Sequence, residues 1–421
     1  MSASAPAAAS QQTADGTRER LISGQLGLVF LSEFSTLASF DLLLSVTPRY
    51  AAATGAGSAG AGLMTGVLLL GTVAAELASS CLIRRYGFRA VLAAGAVLLG
   101  IPALALLSPG SLVVAGAAAA ARGFGFGLIG VVLATLAATL VPPGRRGEGL
   151  GWYGVASSAP EVLALPAGIW LAGRCGYPVV VAMAVATALV PLAAFPWLPS
   201  GAGRTTAAGD AESGPAVRLT DALRDAGQRR PALIFAASTV AAGVVVSFLP
   251  LAAGVSGNIA AAGLLAQAVP ATASRWWAGR NGDRRGHARL LAPALAIASL
   301  GMAAMIWLPS PVAVISAMCL FGTGFGILQN ATMALMVDRM PASADTASAL
   351  WNLAYDAGYG AGPAVFGLFA GRLGYPAVFA VTGVLMAAVV PMARRERSVA
   401  AAGRRPAGRA SAIGRVEATE G

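Results

Sequence analysis

Five carboxylates lie inside long apolar stretches of this sequence: Glu33 and Asp41 in the first stretch, Glu76 in the second, Glu161 in the fifth and Asp356 in the eleventh. A charged group at the centre of a membrane helix costs about 2.5 to 3.5 kcal/mol on insertion scales, so such groups are kept where they face a polar interior or pair with one another. Glu33 and Asp41 are eight residues apart, which at 100° per residue sets them about 80° apart around a helix, and both can face one cavity. Apolar surroundings favour a neutral acid and a neighbouring guanidinium favours an ionised one, so local hydration can bind or release a proton at such a site. Arg122, read as the one arginine well inside a span, is the expected partner of that pair. Reversible protonation is the chemistry open to these three residues. A structural hydrogen bond across the bundle is the alternative for each acid.

The later part of the chain offers a different set: Gln329 and Asn330 in the tenth stretch, then Asn352, Tyr355, Asp356 and Tyr359 in the eleventh. Spacings of three and four place the last four along one broad helical stripe. Amides and phenols there can hydrogen-bond a neutral or cationic solute, and the rings can add apolar or cation–π contact. Together with Glu161, which follows Pro160, they form the expected binding surface. Nothing comparable supports covalent chemistry. Cys81, Cys175 and Cys319 lie in or beside apolar runs, and His287 is the single histidine, so neither a metal cluster nor a Ser-His-Asp triad is expected. Gly55, Gly57 and Gly60 fit G-x-G-x-x-G but lack the preceding strand a dinucleotide fold needs, and a chain without lysine has no phosphate-binding P-loop. The sequence therefore reads as no enzyme, with no cofactor and no metal.

The elements that must position these groups are membrane helices. Of 421 residues, 57% are apolar, only 11% are charged and 53 are glycine, against about a quarter charged in soluble domains. Repeated apolar runs of roughly 20 residues each can cross about 30 Å of hydrocarbon, and continuous runs rather than alternating ones exclude a barrel. Twelve spans are expected, over residues 21–46, 60–83, 90–107, 112–141, 150–172, 178–198, 232–253, 260–277, 288–308, 311–337, 348–370 and 376–392. The expected class is an all-α integral membrane protein with twelve transmembrane helices.

The net charge of +11 is spread over short loops and termini, all 29 basic residues being arginine, which speaks for sidedness rather than nucleic acid. With the amino terminus inside, only Arg49, Arg174 and Arg372 fall outside; Arg275 is grouped with the inner arginines of the connection after the eighth span. The expected organisation is a disordered cytoplasmic tail (1–20), a first six-helix half (21–198), a cytoplasmic central loop (199–230), a second half (231–393) and a disordered cytoplasmic tail (394–421).

The halves repeat. Arg85 and Gly87 recur as Arg284 and Gly286, the run Gly123, Gly125, Phe126, Gly127 recurs as Gly322, Gly324, Phe325, Gly326, and Trp152 recurs as Trp351, all at an offset of 199. After one slipped residue, Gly173, Arg174, Gly176, Tyr177 and Pro178 match Gly371, Arg372, Gly374, Tyr375 and Pro376 at 198. Matches at one register mark a duplicated six-helix unit.

Two such halves, an inner central loop and a basic turn after the second helix of each resemble the major facilitator superfamily (MFS) of secondary transporters, from Leu21 to Met392. Gly279, Asp283, Arg284 and Gly286 reproduce that family's G-x-x-x-D-R-x-G signature, whereas the first half has Ser80, Arg84, Arg85, Gly87 and Arg89 and lacks the motif glycine and aspartate. The resemblance implies a conformational latch at Gly279, Asp283, Arg284 and Gly286, with Arg85, Gly87 and Arg89 as its first-half counterpart. Arg122 with Gly123, Gly125 and Gly127 resembles the family's fourth-helix arginine motif, associated with proton coupling. The acidic pair in the first helix resembles that of some proton-coupled multidrug antiporters, and Pro160, Pro166 and Gly168 loosely resemble the proline- and glycine-rich fifth-helix motif of drug antiporters. The implied protein is a monomeric, multi-pass transporter of the inner (plasma) membrane with both termini cytoplasmic. It would export a drug or secondary metabolite by proton antiport and alternating access. Proton-coupled uptake of a sugar or small metabolite, or a non-transporting membrane sensor, are the alternatives.

Overall fold

The computed structural model describes residues 24–107, 111–141, 146–198, 219–252 and 254–403, and all regular structure among them is helical. The first half comprises α1 (Gly24–Leu44), α2 (57–86), α3 (88–100), α4 (Leu112–Leu140), α5 (Arg146–Cys175) and α6 (Tyr177–Ala194). The second comprises α7 (Ala226–Phe248), α8 (Gly257–Arg285), α9 (Ala288–Ala304), α10 (Pro311–Arg339), α11 (Ala344–Leu373) and α12 (Tyr375–Ala388). Helices α2 and α3 are parts of one continuous stretch, Gly57–Gly100, broken at Gly87, whose φ of 78° suits a residue without a Cβ.

Eight helical stretches among the described residues are long and apolar enough to cross a membrane, the first of them, Gly24–Leu107, holding α1, α2 and α3. Helices α8 and α11 fall outside that set although each is as long as its neighbours. Their apolar runs are interrupted by Gln267, Ser274 and Arg275 in α8 and by Asn352, Asp356 and Tyr359 in α11. The two second-half helices outside that set are the ones that make the main junctions with the first half.

The amino-terminal tail, much of the central loop and the end of the carboxyl-terminal tail lie outside the described residues. Two boundaries differ from expectation. The segment read as central loop already contains a short helix, Leu219–Arg224, and the start of α7. The segment read as a disordered tail from 394 begins as helix Val390–Gly403. A buried charge orders it: Glu396 is 1% exposed and meets Arg339 Nη2 at 2.5 Å and Arg230 Nη1 at 3.5 Å. Apolar periodicity carries no signal for an ion-paired helix end.

The duplication reappears as packing. In the first half α4 crosses α2 and α3 so closely that a Cβ on Gly123, Gly125 or Gly127 would overlap the carbonyl oxygen of Leu68, Gly95 or Thr72. In the second half Gly322, Gly324 and Gly326 of α10 stand in the same way against Gln267 and Ala271 of α8 and Ala294 of α9. Each partner, like each glycine, is displaced by 199 residues. The connection after the second helix of each half turns at a left-handed glycine, Gly87 (φ 78°) and Gly286 (φ 93°).

The halves join through α2 against α11 and α5 against α8. Near the arginine-poor face α2 and α11 touch backbone to backbone: a Cβ on Gly62 would overlap the Pro363 carbonyl, and Ser58 Oγ donates to the Gly367 carbonyl at 2.9 Å. Small residues permit this approach. Deeper in, the hydroxyls of Thr65 on α2 and Ser247 on α7 share a hydrogen bond of 2.8 Å.

Candidate functional site: a polar chamber between the halves

Arg275 is the hub of the interface. Its Nε donates to Gln329 Oε1 on α10 at 3.0 Å, and Nη2 bonds the same oxygen. Nη1 crosses to the first half and donates to Ser158 Oγ on α5 at 3.0 Å, while Nη2 lies 3.9 Å from Glu161 Oε2. The sequence reading puts this arginine at the inner surface. The structure corrects that placement: α8 runs on to Arg285 rather than stopping at 277, so at 1.5 Å per residue Arg275 lies about 15 Å inside the helix end. The Arg275 and Glu161 side chains are half-buried where α5 meets α8.

Around it, α11 presents an aromatic ladder. Phe235 of α7 stacks on Trp351 at 4.4 Å between centroids, Trp351 lies 5.9 Å from Tyr355, and Tyr355 stacks on Tyr359 at 5.6 Å. Trp351 is fixed by its indole N–H, which donates to Thr332 Oγ1 at 3.0 Å. The Tyr355 phenol is within electrostatic reach of Glu161, Asp356, Asp41 and Arg275, and the Tyr359 phenol is within reach of Glu161 and Asp41. Asp356 lies beside Glu76 of α2, so this carboxyl pair faces across the junction of the halves. Asp41 is buried and its Oδ2 has no hydrogen-bond partner. Asp41, Glu161, Gln329, Tyr355, Asp356 and Tyr359 therefore converge from α1, α5, α10 and α11 on one polar cluster between the halves, the candidate chamber.

Other candidate residues lie elsewhere. Buried Glu33 accepts from Ser157 Oγ at 3.0 Å and also bonds Tyr153, both on α5. Arg122 is 1% exposed and touches neither acid of the first helix; Nε donates to the Leu99 carbonyl at 3.1 Å and Nη2 to the Ser39 carbonyl at 3.2 Å. The close crossing made by Gly125 against α3 brings the Leu99 carbonyl within its reach, and that carbonyl and the one of Ser39 take the place of a carboxylate partner. Asn330 packs over Gly279, with Oδ1 buried and unpaired, and Asn352 is exposed one turn before Asp356.

At the arginine-rich face, Asp283 Oδ1 lies 3.4 Å from His287 Nε2, Gly286 closes α8, and Arg284 is exposed. In the first half, which lacks the aspartate, Arg89 Nε donates to the Leu198 carbonyl at 2.8 Å and Nη2 to that of Pro196 at 3.2 Å, clamping the end of the sixth span. Arg85 sits over the Tyr86 ring at 5.3 Å, one residue before the Gly87 turn.

Sequence reasoning missed Arg275, Ser157, Ser158 and Tyr153. For Arg275 there was a signal, since it precedes the basic run at 284–285 by more than two helical turns. The serines carry none in a chain rich in small residues.

The sequence model described as Major Facilitator Superfamily matches residues 29–363. No curated protein matches the sequence. Solved structures of similar fold include the nucleoside transporter NupG, with a TM-score of 0.67 and 13% identity over 88% of this chain and 99% of that one. A peptide transporter POT in complex with sulfate has a TM-score of 0.69 and 14% identity over 88% of this chain and 93% of that one. A D-xylose-proton symporter has 0.68 and 15% over 87% and 96%. At such identities the likeness concerns the fold.

Proposed function

Because the chain belongs to the Major Facilitator Superfamily, we propose that this transporter exports a small organic solute, a drug or secondary metabolite, in exchange for protons. The single observation that carries the reading is the chamber itself. Ionisable groups from α1, α5 and α8, with Asp356 on α11, surround an aromatic stripe where the two halves meet, and both walls must move if the halves rock against each other.

In the proposed cycle the solute sits between the Tyr355–Tyr359 face and the acids Asp41 and Glu161, with Gln329 as a hydrogen-bonding neighbour. Opening toward the arginine-poor face releases solute and lets protons reach Glu33 and Asp41; opening toward the arginine-rich face returns the protons and admits new solute. Arg122 acts as a brace: by holding the Ser39 and Leu99 carbonyls it fixes the α1 segment between Glu33 and Asp41 against α3. The turns at 84–89 and 279–289 set which closed form is preferred.

The arginine asymmetry supports a plasma-membrane orientation with both termini cytoplasmic, and a single chain holds every group of the chamber, which supports a monomer. Proton-coupled uptake is the second reading, favoured by the likeness to a D-xylose-proton symporter, since the same acids serve symport.

The test is flux in proteoliposomes of defined lumenal pH. Solute movement should follow an imposed pH gradient and reverse with it, and Glu33→Gln should abolish the response. Flux indifferent to the gradient would reject antiport.

A further inference from the structure

The chamber contains a cation of its own, and that cation belongs to the wall. Arg275 comes from the second half and is anchored there by two N–H groups on Gln329 Oε1. Its remaining contacts, to Ser158 Oγ at 3.0 Å and Glu161 Oε2 at 3.9 Å, are with the first half. It is therefore a strap between α8 and α5 whose two ends are unequal. The Glu161 end is an ion pair beyond hydrogen-bonding distance, so it is the looser of the two contacts to the first half and the one a competing cation can replace.

The surroundings favour such an exchange. Within electrostatic reach of Tyr355 are three acids, Asp41, Glu161 and Asp356, and, among the described residues, Arg275 is the cation acting there. Asp356 is engaged with Glu76, while Asp41 keeps an oxygen without a partner. Two stacked phenol rings, Tyr355 and Tyr359, offer their faces over the same space. Acids without enough cations, beside flat apolar surface, suit a positively charged solute with an apolar or aromatic body.

We propose that Arg275 is a tethered competitor for the solute: it fills the cation position beside Glu161 when the chamber is empty, and an organic cation displaces it, which unfastens α8 from α5. Resting on the solute-transport reading, this names the substrate class as organic monocations and makes Arg275 a specificity-determining residue. Binding and release of the interhalf strap are then one event, because the solute and the strap compete for one carboxylate.

The experiment uses full-length protein in nanodiscs and tetraphenylphosphonium as the probe. Arg275→Ala should bind it about five- to tenfold more tightly than wild type, the range expected for removing a weak competing ion pair. Arg275→Lys, which keeps a competing charge, should stay within about twofold of wild type, and Glu161→Gln should weaken binding. Spin labels at Trp170 and Leu265, which line the α5–α8 seam, should report a distance change when the probe is added to wild type. Arg275→Ala should show that changed distance without the probe. Equal affinities for wild type and Arg275→Ala, no binding to either, or a seam distance that ignores the probe would each overturn the proposal. If pH-driven flux of another solute persists in the same preparation, the transporter reading stands while this inference falls.

Discussion

Ser157 and Ser158 are neighbours on α5 that serve opposite halves: Ser157 Oγ donates to Glu33 on α1 at 3.0 Å, and Ser158 Oγ receives the Arg275 guanidinium of α8 at 3.0 Å. One helical segment thus holds both the innermost acid of the first helix and the strap between the halves. A small rotation of α5 strains both bonds, which gives a physical route from the charge of Glu33 to the interface.

That route predicts a separation of effects. Glu33→Gln keeps an oxygen to accept from Ser157, so folding and downhill solute counterflow should be retained while uptake driven by a pH gradient falls at least about tenfold, the usual scale for loss of a proton-transfer group. Counterflow and gradient-driven flux measured on the same liposomes check this. Equal loss of both would make Glu33 a structural residue.

Arg122 should behave as a positioning residue. Removing a fully buried guanidinium deletes its hydrogen bonds to the Leu99 and Ser39 carbonyls, at about 1.5 to 3 kcal/mol for each hydrogen bond to a charged group. Arg122→Ala should therefore lower the melting temperature of the purified protein. Arg122→Lys should recover little, because an ammonium lacks the planar fork that reaches two carbonyls. Melting curves in detergent decide it; lost proton coupling with unchanged melting would point instead to direct proton chemistry.

The close crossings give a matched pair of predictions. A Cβ at Gly123 or at Gly322 would overlap a backbone carbonyl, whereas at Gly130 on α4 nothing lies within 4 Å. Gly123→Ala and Gly322→Ala should each destabilise by about 1 to 3 kcal/mol through overpacking. Gly130→Ala should be neutral or slightly stabilising, since alanine is the better helix former. Thermal melting of the three variants is the measurement, and similar curves for all would mean the crossings relax freely.

How far this was legible in the sequence varies by residue. The glycine run at 123–127 and its copy at 322–326 encode a helix crossing, and such a crossing needs small residues at fixed intervals whatever surrounds them; the repeat could be read directly. The stripe Tyr355, Asp356, Tyr359 was legible for a similar reason, because helical spacing fixes which side chains share a face. Asn330 is set apart from Gln329 because adjacent residues of one helix point about 100° apart, and only its packing against Gly279 shows which way it turns. The expected tie between Arg122 and the acids failed because a guanidinium has five donors and backbone carbonyls satisfy them as well as carboxylates do. Arg275 was hidden by a helix end, a boundary that hydropathy blurs wherever a polar stripe enters the membrane.

A last prediction concerns the helix Val390–Gly403. Glu396 is 1% exposed, faces Arg339 and Arg230, and carries that helix onto the ends of α10 and α7; Arg339 also donates to the Gly227 carbonyl. Neutralising Glu396 leaves two guanidinium groups side by side with no anion between them; because Arg339 and Arg230 are 22% and 36% exposed, the local cost falls below the ~3 to 5 kcal/mol of breaking a fully buried pair. The helix end should then open far more often than the bundle unfolds. Trypsin reads this directly, since Arg394, Arg395 and Arg397 flank the buried glutamate. Glu396→Gln should be cut there much faster than wild type, with the bundle from α1 to α12 intact. Arg230→Gln, which removes the longer of the two contacts, should have a smaller effect than Arg339→Gln. Cleavage rates that match wild type in Glu396→Gln would show that the helix is held by its apolar contacts alone.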